Sequence, residues 1–508
     1  MKRALKYLAV VAIFLFAICV FSDNDADVDI WGNVGFVNSL PWTESFKYLN
    51  TYSYTEPGNI WVNHEWLGQY ILHLLFRHGG NPALLVAKLI LGLSVVALIE
   101  ASMRRRNVSG IARFFSLLLI ISTMGYGFST RPHHFTYLFL AVLFFLFRHH
   151  VRNRKLMFSV LPVMGILWAN LHGAFFIGIV TALACAVFSV FQRLSHQVNR
   201  QNTAENPGIT VCYGLILAGA GFVNPYGPGL WRFIGRSAAV PRRFLSEWDV
   251  FNPLVYFAEH PDFIFLALLS IVVVLAVRPR DVVWDGILLL SLSGAIMMRR
   301  NIPLFAITAG FVVPERLDGI LRRYTKDRLR NPRVSTAVIC GLCALSGISA
   351  VYALDAGKDN PLEIQVDREK FPVEAVSFVK ANGITGNLLP FFDWAEYCIW
   401  KLYPDCRVYM DGRLISAYSA EAVDSYFDFI YRKENRRKAL LAYPTDMVLI
   451  HRGNPAYRTM IKEPGWSLVF QSSISALFLK RSEHEHFFRL FGSGACVYPP
   501  EKSDVYFP

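Results

Sequence analysis

Apolar stretches of near-span length recur along the first 355 residues, separated by polar segments of very unequal length. A helix needs about 20 apolar residues to cross bilayer hydrocarbon. On that measure spans are predicted near 4–21, 82–101, 111–128, 132–147, 156–169, 172–191, 207–223, 262–277, 282–297, 302–315 and 334–354. The segment 66–76 is too short for a span and is expected to lie in the interface or to re-enter. Beyond 355 the period changes. Short β-rich runs at Leu388–Phe392, Arg407–Met410, Met447–Ile450, Ser467–Phe470 and Ala476–Leu479 alternate with helical patterns at Val373–Ala381 and Glu421–Tyr431. The expected fold is an α-helical polytopic membrane domain over 1–354, of about eleven spans, followed by a small extracytoplasmic α/β domain over 355–508.

Charge sets the orientation. With the N-terminus inside, the short inner segments together hold 21 Lys and Arg and the outer ones 8, the bias expected of a polytopic protein. Long loops at 22–66 and 224–261 are then outside, as is the C-terminal domain. Residues 1–21 join a basic start to an apolar run with no small-x-small site after it, so a retained signal anchor is expected. A chain 54% hydrophobic and 18% charged is too apolar for an ordinary soluble protein. The net charge of +13 reflects basic inner loops, and no basic stripe with interleaved aromatics marks a nucleic-acid surface. The eight cysteines show no zinc spacing. Cys398 and Cys406 lie in the external domain, where a disulfide is allowed. No P-loop or GxGxxG pattern occurs in that domain.

Candidate chemistry clusters on the outer face. The first loop opens with Asp23, Asp25, Asp27 and Asp29, a group able to hold a divalent cation (Mg or Mn) or to supply a general base, or simply to form a solvated acidic loop. It continues to Trp61, Asn63, His64, Glu65 and Trp66, where a His–Glu pair sits between interface-type tryptophans. Arg131, His133 and His134 join two spans, and Trp168, Asn170, His172 and Gly173 join two more. Asn170 and His172 suit either a helix cap or a sugar or phosphate contact. Seven arginines (131, 232, 236, 242, 243, 299 and 300) break the outer charge bias. Guanidinium forks match phosphate oxygens, so a lipid-linked phosphate is one reading and outer-leaflet headgroups the other. In the C-terminal domain Asp393, Trp394, Glu396, Tyr397 and the Asp411–Gly412–Arg413 motif offer acceptor recognition, with ring faces for sugar stacking. A plain turn with an Asp411–Arg413 salt bridge is the alternative.

With these motifs the chain resembles the GT-C superfamily of integral membrane glycosyltransferases, and within it a bacterial polytopic group that uses polyprenyl-phosphate sugars. The features that carry the resemblance are Asp29–Trp31, Ser53–Gly58, Asn63–Leu67, Arg131–Pro132, Trp168–Gly173, Asn224–Gly227 and Met410–Arg413. Similar sequences often carry His soon after the first-loop acid, where this chain has Asn33. The resemblance implies an enzyme of the bacterial cytoplasmic membrane that moves a sugar, with inversion, from a polyprenyl phosphate to a glycan, lipid or protein acceptor. It implies Asp29 as catalytic base, with Asp27 the next choice. Arg131, Arg299, Arg300, His133 and His172 would then take the donor phosphate, and His64, Glu65 and Asn170 the acceptor or a cation. A flippase for lipid-linked sugars, which needs polar residues at mid-membrane where the few candidates, Lys88 and Asp285, lie instead toward span ends, and a non-catalytic scaffold are the competing functions.

Overall fold

A computed structural model describes residues 2–39, 48–195, 206–239, 252–278, 280–324, 360–494, 496–498 and 506–508, with isolated positions 248, 250, 340, 341, 344 and 347. Contacts sort the chain into two units. One comprises Met1–Asp23, Ala83–Gly227 and Pro241–Pro361; the other Asn24–Pro82, Pro228–Val240 and Leu362–Pro508. From Asn24 on, the residues predicted as the first external loop thus belong to the same unit as the C-terminal sheet.

The first unit is helical. Each predicted span from 4–21 to 302–315 centres on a helix, and 334–354 lies almost wholly outside the described residues. Among the described residues two helices are long and apolar enough to cross a membrane, Trp66–Arg105 and Gly173–Leu194; several apolar helices are shorter, such as Gly110–Gly125 and Pro261–Ala276. The segment 66–76 is the start of the first of these. That helix breaks at Gly80, whose φ of 60° suits glycine, and Pro82 follows. Helix starts carry side-chain caps: Ser109 accepts from the Ala112 N–H, Asn153 from Leu156 and Asp281 from Trp284.

Buried charges in this unit are partnered. Lys88 donates to the carbonyls of Asp23 and Phe128, where the Phe21 and Phe128 rings stack at 3.8 Å. Asp285 pairs with Arg316. Arg148 reaches Glu315 at 2.6 Å and Asp281 at 3.5 Å, and its guanidinium lies 4.7 Å over the Trp284 ring.

The second unit contains two sheets. In the antiparallel hairpin, β1 (Tyr48–Leu49) pairs with β2 (Ile60–Trp61). The five-stranded sheet comprises β3 (Gly386–Pro390), β4 (Cys406–Val408), β5 (Met447–His451), β6 (Trp466–Gln471) and β7 (Ser475–Lys480), in the order β4-β3-β5-β7-β6. The β3 pairings with β4 and β5 are parallel; β7 is antiparallel to β5 and β6. All five strands fall on the predicted β runs, and helices form at Val373–Ala381 and Ala420–Tyr431. The apolar run of β5 is what a central strand covered on both faces requires.

The described parts of the segment 24–65 are sewn to the C-terminal part of this unit. Ala26 N–H donates to Gln365 O at 2.7 Å and Gln365 N–H to Asn24 O at 2.8 Å. The Ser53 and Thr55 hydroxyls both donate to Tyr409 O, at 3.1 and 2.7 Å. Beneath them lies Arg413. Its Nε and Nη2 bond the two Asp411 oxygens at 2.8 and 2.7 Å, and Nη2 also bonds Asn50 Oδ1 at 2.8 Å. The rings of Phe36, Tyr52 and Trp61 lie 4.7, 5.3 and 5.0 Å from its guanidinium carbon. The salt-bridge reading of the Asp411–Arg413 motif holds, and the pair is fully buried.

Removing one member of a buried pair leaves an uncompensated charge, at a cost of about 3–5 kcal/mol. Arg413→Met is therefore expected to lower the thermal unfolding temperature of the detergent-purified chain sharply. Adding Asp411→Asn in the same molecule is expected to restore part of the loss.

Candidate active site

The acids of the first loop do not share one environment. Asp23 and Asp25 are exposed, while Asp27 and Asp29 are half-buried. One Asp27 oxygen accepts the Asp29 backbone N–H at 3.0 Å and so closes a local turn. Asp29 stands at the start of the short helix Ile30–Gly35, and its side chain does not cap that helix.

Beside Asp29 lies a carboxyl from far along the chain. Glu396 Oε2 accepts the Gly32 N–H at 3.0 Å. A Cβ added to Gly32 would overlap that carboxyl. On the other side, a Cβ added to Gly412 would stand 2.7 Å from Glu396 Oε1 and 3.2 Å from Asp29 Oδ1. Two glycines therefore let the Glu396 carboxyl press between two backbones, next to Asp29. Burial raises the Glu396 pKa well above the usual glutamate value, and the charges of Asp29 and then Asp411 raise it further. Glu396 and Asp411 both leave the carboxyl ends of neighbouring parallel strands, Glu396 after β3 and Asp411 after β4, the end where α/β sheets bind ligands.

His64 and Glu65 lie in the same unit and are half-buried, with His64 Nε2 3.4 Å from Glu65 Oε1. His64 Nδ1 has no hydrogen-bond partner among the described residues. A buried amide chain runs from this pair toward Asp29's helix. Glu65 N–H donates to Asn63 Oδ1 at 3.1 Å, Asn63 Nδ2 to Gln69 Oε1 at 2.8 Å, and Gln69 Nε2 to Asn33 Oδ1 at 3.2 Å.

The remaining candidates lie in the helical unit. His133 Nε2 donates to Gly127 O at 2.6 Å, and His134 Nδ1 to Arg131 O at 2.9 Å. Trp168 Nε1 donates to the Thr136 hydroxyl at 2.8 Å, which bonds His172 Nδ1 at 2.8 Å. Ala174 N–H also points at Nδ1, so that nitrogen is the acceptor and Nε2 carries the proton of neutral His172. Asn170 gives its amide to the carbonyls of Ile166 and Val223, the helix-end role. Arg299 pairs with Glu259 at 2.7 Å and lies 5.8 Å over Tyr126, in the turn that His133 closes. Arg300 lies 4.8 Å over Trp248. Of the other arginines, 242 and 243 lie outside the described residues.

Two expectations change. Trp394 and Tyr397 are each 1% exposed, so neither ring has a face free for sugar; both pack in the core around the Glu396 helix. Glu396 is itself buried, which moves it from acceptor recognition to the neighbourhood of Asp29. Among the described residues no group of three or more His, Cys, Asp or Glu side chains is arranged to hold a metal ion.

No family model matches the chain, and no curated protein does. Among solved structures the fold is similar to that of the Archaeoglobus fulgidus oligosaccharyltransferase, crystallised with an acceptor peptide containing the NVT sequon tethered by a disulfide bond. The TM-score is 0.56 at 11% identity, over 88% of this chain and 69% of that one. At that identity the likeness is one of fold alone.

The Glu396 proton links stability to pH. The unfolded chain releases it near the ordinary value of 4.5, whereas the folded chain keeps it to higher pH. Glu396 therefore contributes fully below 4.5, and its contribution falls as pH rises toward the folded value. Unfolding temperatures measured from about pH 5 to about pH 8 are expected to fall less for Glu396→Gln than for the wild type.

Proposed function

We propose that this chain is a membrane glycosyltransferase. It takes a sugar from a polyprenyl-phosphate carrier and passes it, with inversion, to a glycan, lipid or protein acceptor on the outer face of a bacterial cytoplasmic membrane. The observation that carries the reading is Asp29. Its half-buried carboxylate stands at the ligand-binding end of an α/β sheet, beside a carboxyl that favours its proton. The GT-C-like fold supports the same class.

Asp29 takes the acceptor hydroxyl proton as that oxygen attacks the anomeric carbon. Asp27 is the weaker choice of base, because one of its oxygens already holds the Asp29 N–H. Arg131, Arg299 and Arg300 are assigned to the phosphate on chemical grounds, since guanidinium stabilises the charge that develops on the leaving group. His133 and His172 are secondary for that role, and Asn170 for the acceptor, because each is engaged with neighbours. His64 and Glu65, half-buried near the start of the helix Trp66–Arg105, are assigned to orienting the acceptor. No step is routed through a cation.

Transport fits less well. The charges that would mark a pathway, Lys88 and Asp285, are tied to backbone carbonyls and to Arg316.

The test is sugar transfer from a labelled polyprenyl-phosphate donor pool by purified protein. Loss of a general base is worth roughly 100-fold or more, so Asp29→Asn is expected to abolish measurable turnover while donor binding persists. Asp27→Asn is expected to keep most activity. Donor binding without transfer to any acceptor, with both variants indistinguishable from wild type, would move the carrier-transport or scaffold readings ahead.

A further inference from the structure

Glu396 has no part in the reaction as written, yet its placement is tightly constrained. Its carboxyl fits only because residues 32 and 412 lack side chains. Its two oxygens also differ. Oε2 accepts the Gly32 N–H, so in the neutral acid the hydrogen belongs on Oε1. Oε1 is the oxygen turned to Gly412, on whose open side Asp29 Oδ1 also lies. The charged groups around it come from two directions: Asp29 at the start of Ile30–Gly35, and Asp411 with Arg413 after β4. Arg413 holds both Asp411 oxygens.

We propose that Glu396 is a positioning residue for Asp29: its Oε1–H, aimed along Gly412, orients the Asp29 carboxylate toward the acceptor hydroxyl. The inference rests on Asp29 being the base. Ionised Glu396 would replace that O–H with a like charge and turn the Asp29 carboxylate away. The competent form therefore has Glu396 neutral and Asp29 ionised, two neighbouring carboxyls in opposite states. Glutamine at 396 reproduces the neutral form: its carbonyl accepts the Gly32 N–H and its amide donates where Oε1–H did.

Two measurements on the full-length detergent-purified protein decide this. Infrared difference spectra across a pH titration are expected to show a protonated-carboxyl band that Glu396→Gln removes. In Asp29→Asn the midpoint for losing that band is expected to move to lower pH, because a neighbouring negative charge has gone. In the transfer assay the wild type should lose kcat on the alkaline side as Glu396 ionises. Glu396→Gln should lack that alkaline limb and stay within about threefold of wild-type kcat at neutral pH, whereas Glu396→Ala should lose about tenfold or more in kcat with donor KM unchanged. A missing band, or a midpoint indifferent to Asp29→Asn, overturns the proposal whether or not the protein transfers sugar. Wild-type kinetics in Glu396→Ala also overturn it. If no polyprenyl-phosphate donor supports transfer, the glycosyltransferase reading fails on its own, and the infrared titration still decides whether the two carboxyls are coupled.

Discussion

A guanidinium buried against aromatic rings holds the sheet unit together. Arg413 cannot leave water without an anion and enough hydrogen-bond acceptors, and Asp411, Asn50 and the surrounding rings supply these. Because those partners come from both the first loop and the segment after β4, they tie the two together. Phe36 ends the helix that Asp29 begins. Tyr52 lies in the connection of the hairpin and Trp61 in its second strand, which leads to His64 and Glu65. Placing Arg413 thus places every first-loop residue that the proposed chemistry uses.

The same arrangement separates three carboxyls by state. Asp411 is neutralised by a bidentate guanidinium, and Glu396 is held toward its proton by burial and by its neighbours. Asp29, half-buried beside this group, is the one of the three that the proposed reaction uses. Three acids at one point would otherwise repel one another. Different partners turn that conflict into an assignment of roles, which is how acid and base identities arise in active sites generally.

Much of this was legible in the sequence. Hydropathy located the helices, and β-rich runs located all five strands of the domain sheet, because both signals are local. Asp29 and the Asp411–Arg413 pair stood out as motifs. The position of Glu396 did not, since its bond to Gly32 spans 364 residues and no spacing rule reaches so far. Gly32 and Gly412 held the clue, but a glycine after an acid or a tryptophan reads first as a turn residue, not as room for a distant carboxyl. Trp394 and Tyr397 misled for the opposite reason. Aromatics near acids look like sugar platforms, and here the same rings fill a core that Trp31 and Phe371 also enter.

The helical unit can be ranked by how tightly its polar groups are engaged. Asn170, His133, His134 and His172 satisfy carbonyls, hydroxyls or backbone amides that would otherwise be orphaned near helix ends, so giving up those bonds to bind a ligand carries a cost. Arg299 and Arg300 are engaged differently. The first pairs with an exposed glutamate and the second faces a tryptophan ring, interactions of modest strength at half-buried positions. A phosphate offers either guanidinium a stronger, bidentate partner. Exchange of that kind costs less than breaking the bonds the histidines make, which is why the proposed phosphate assignment rests on the arginines before the histidines.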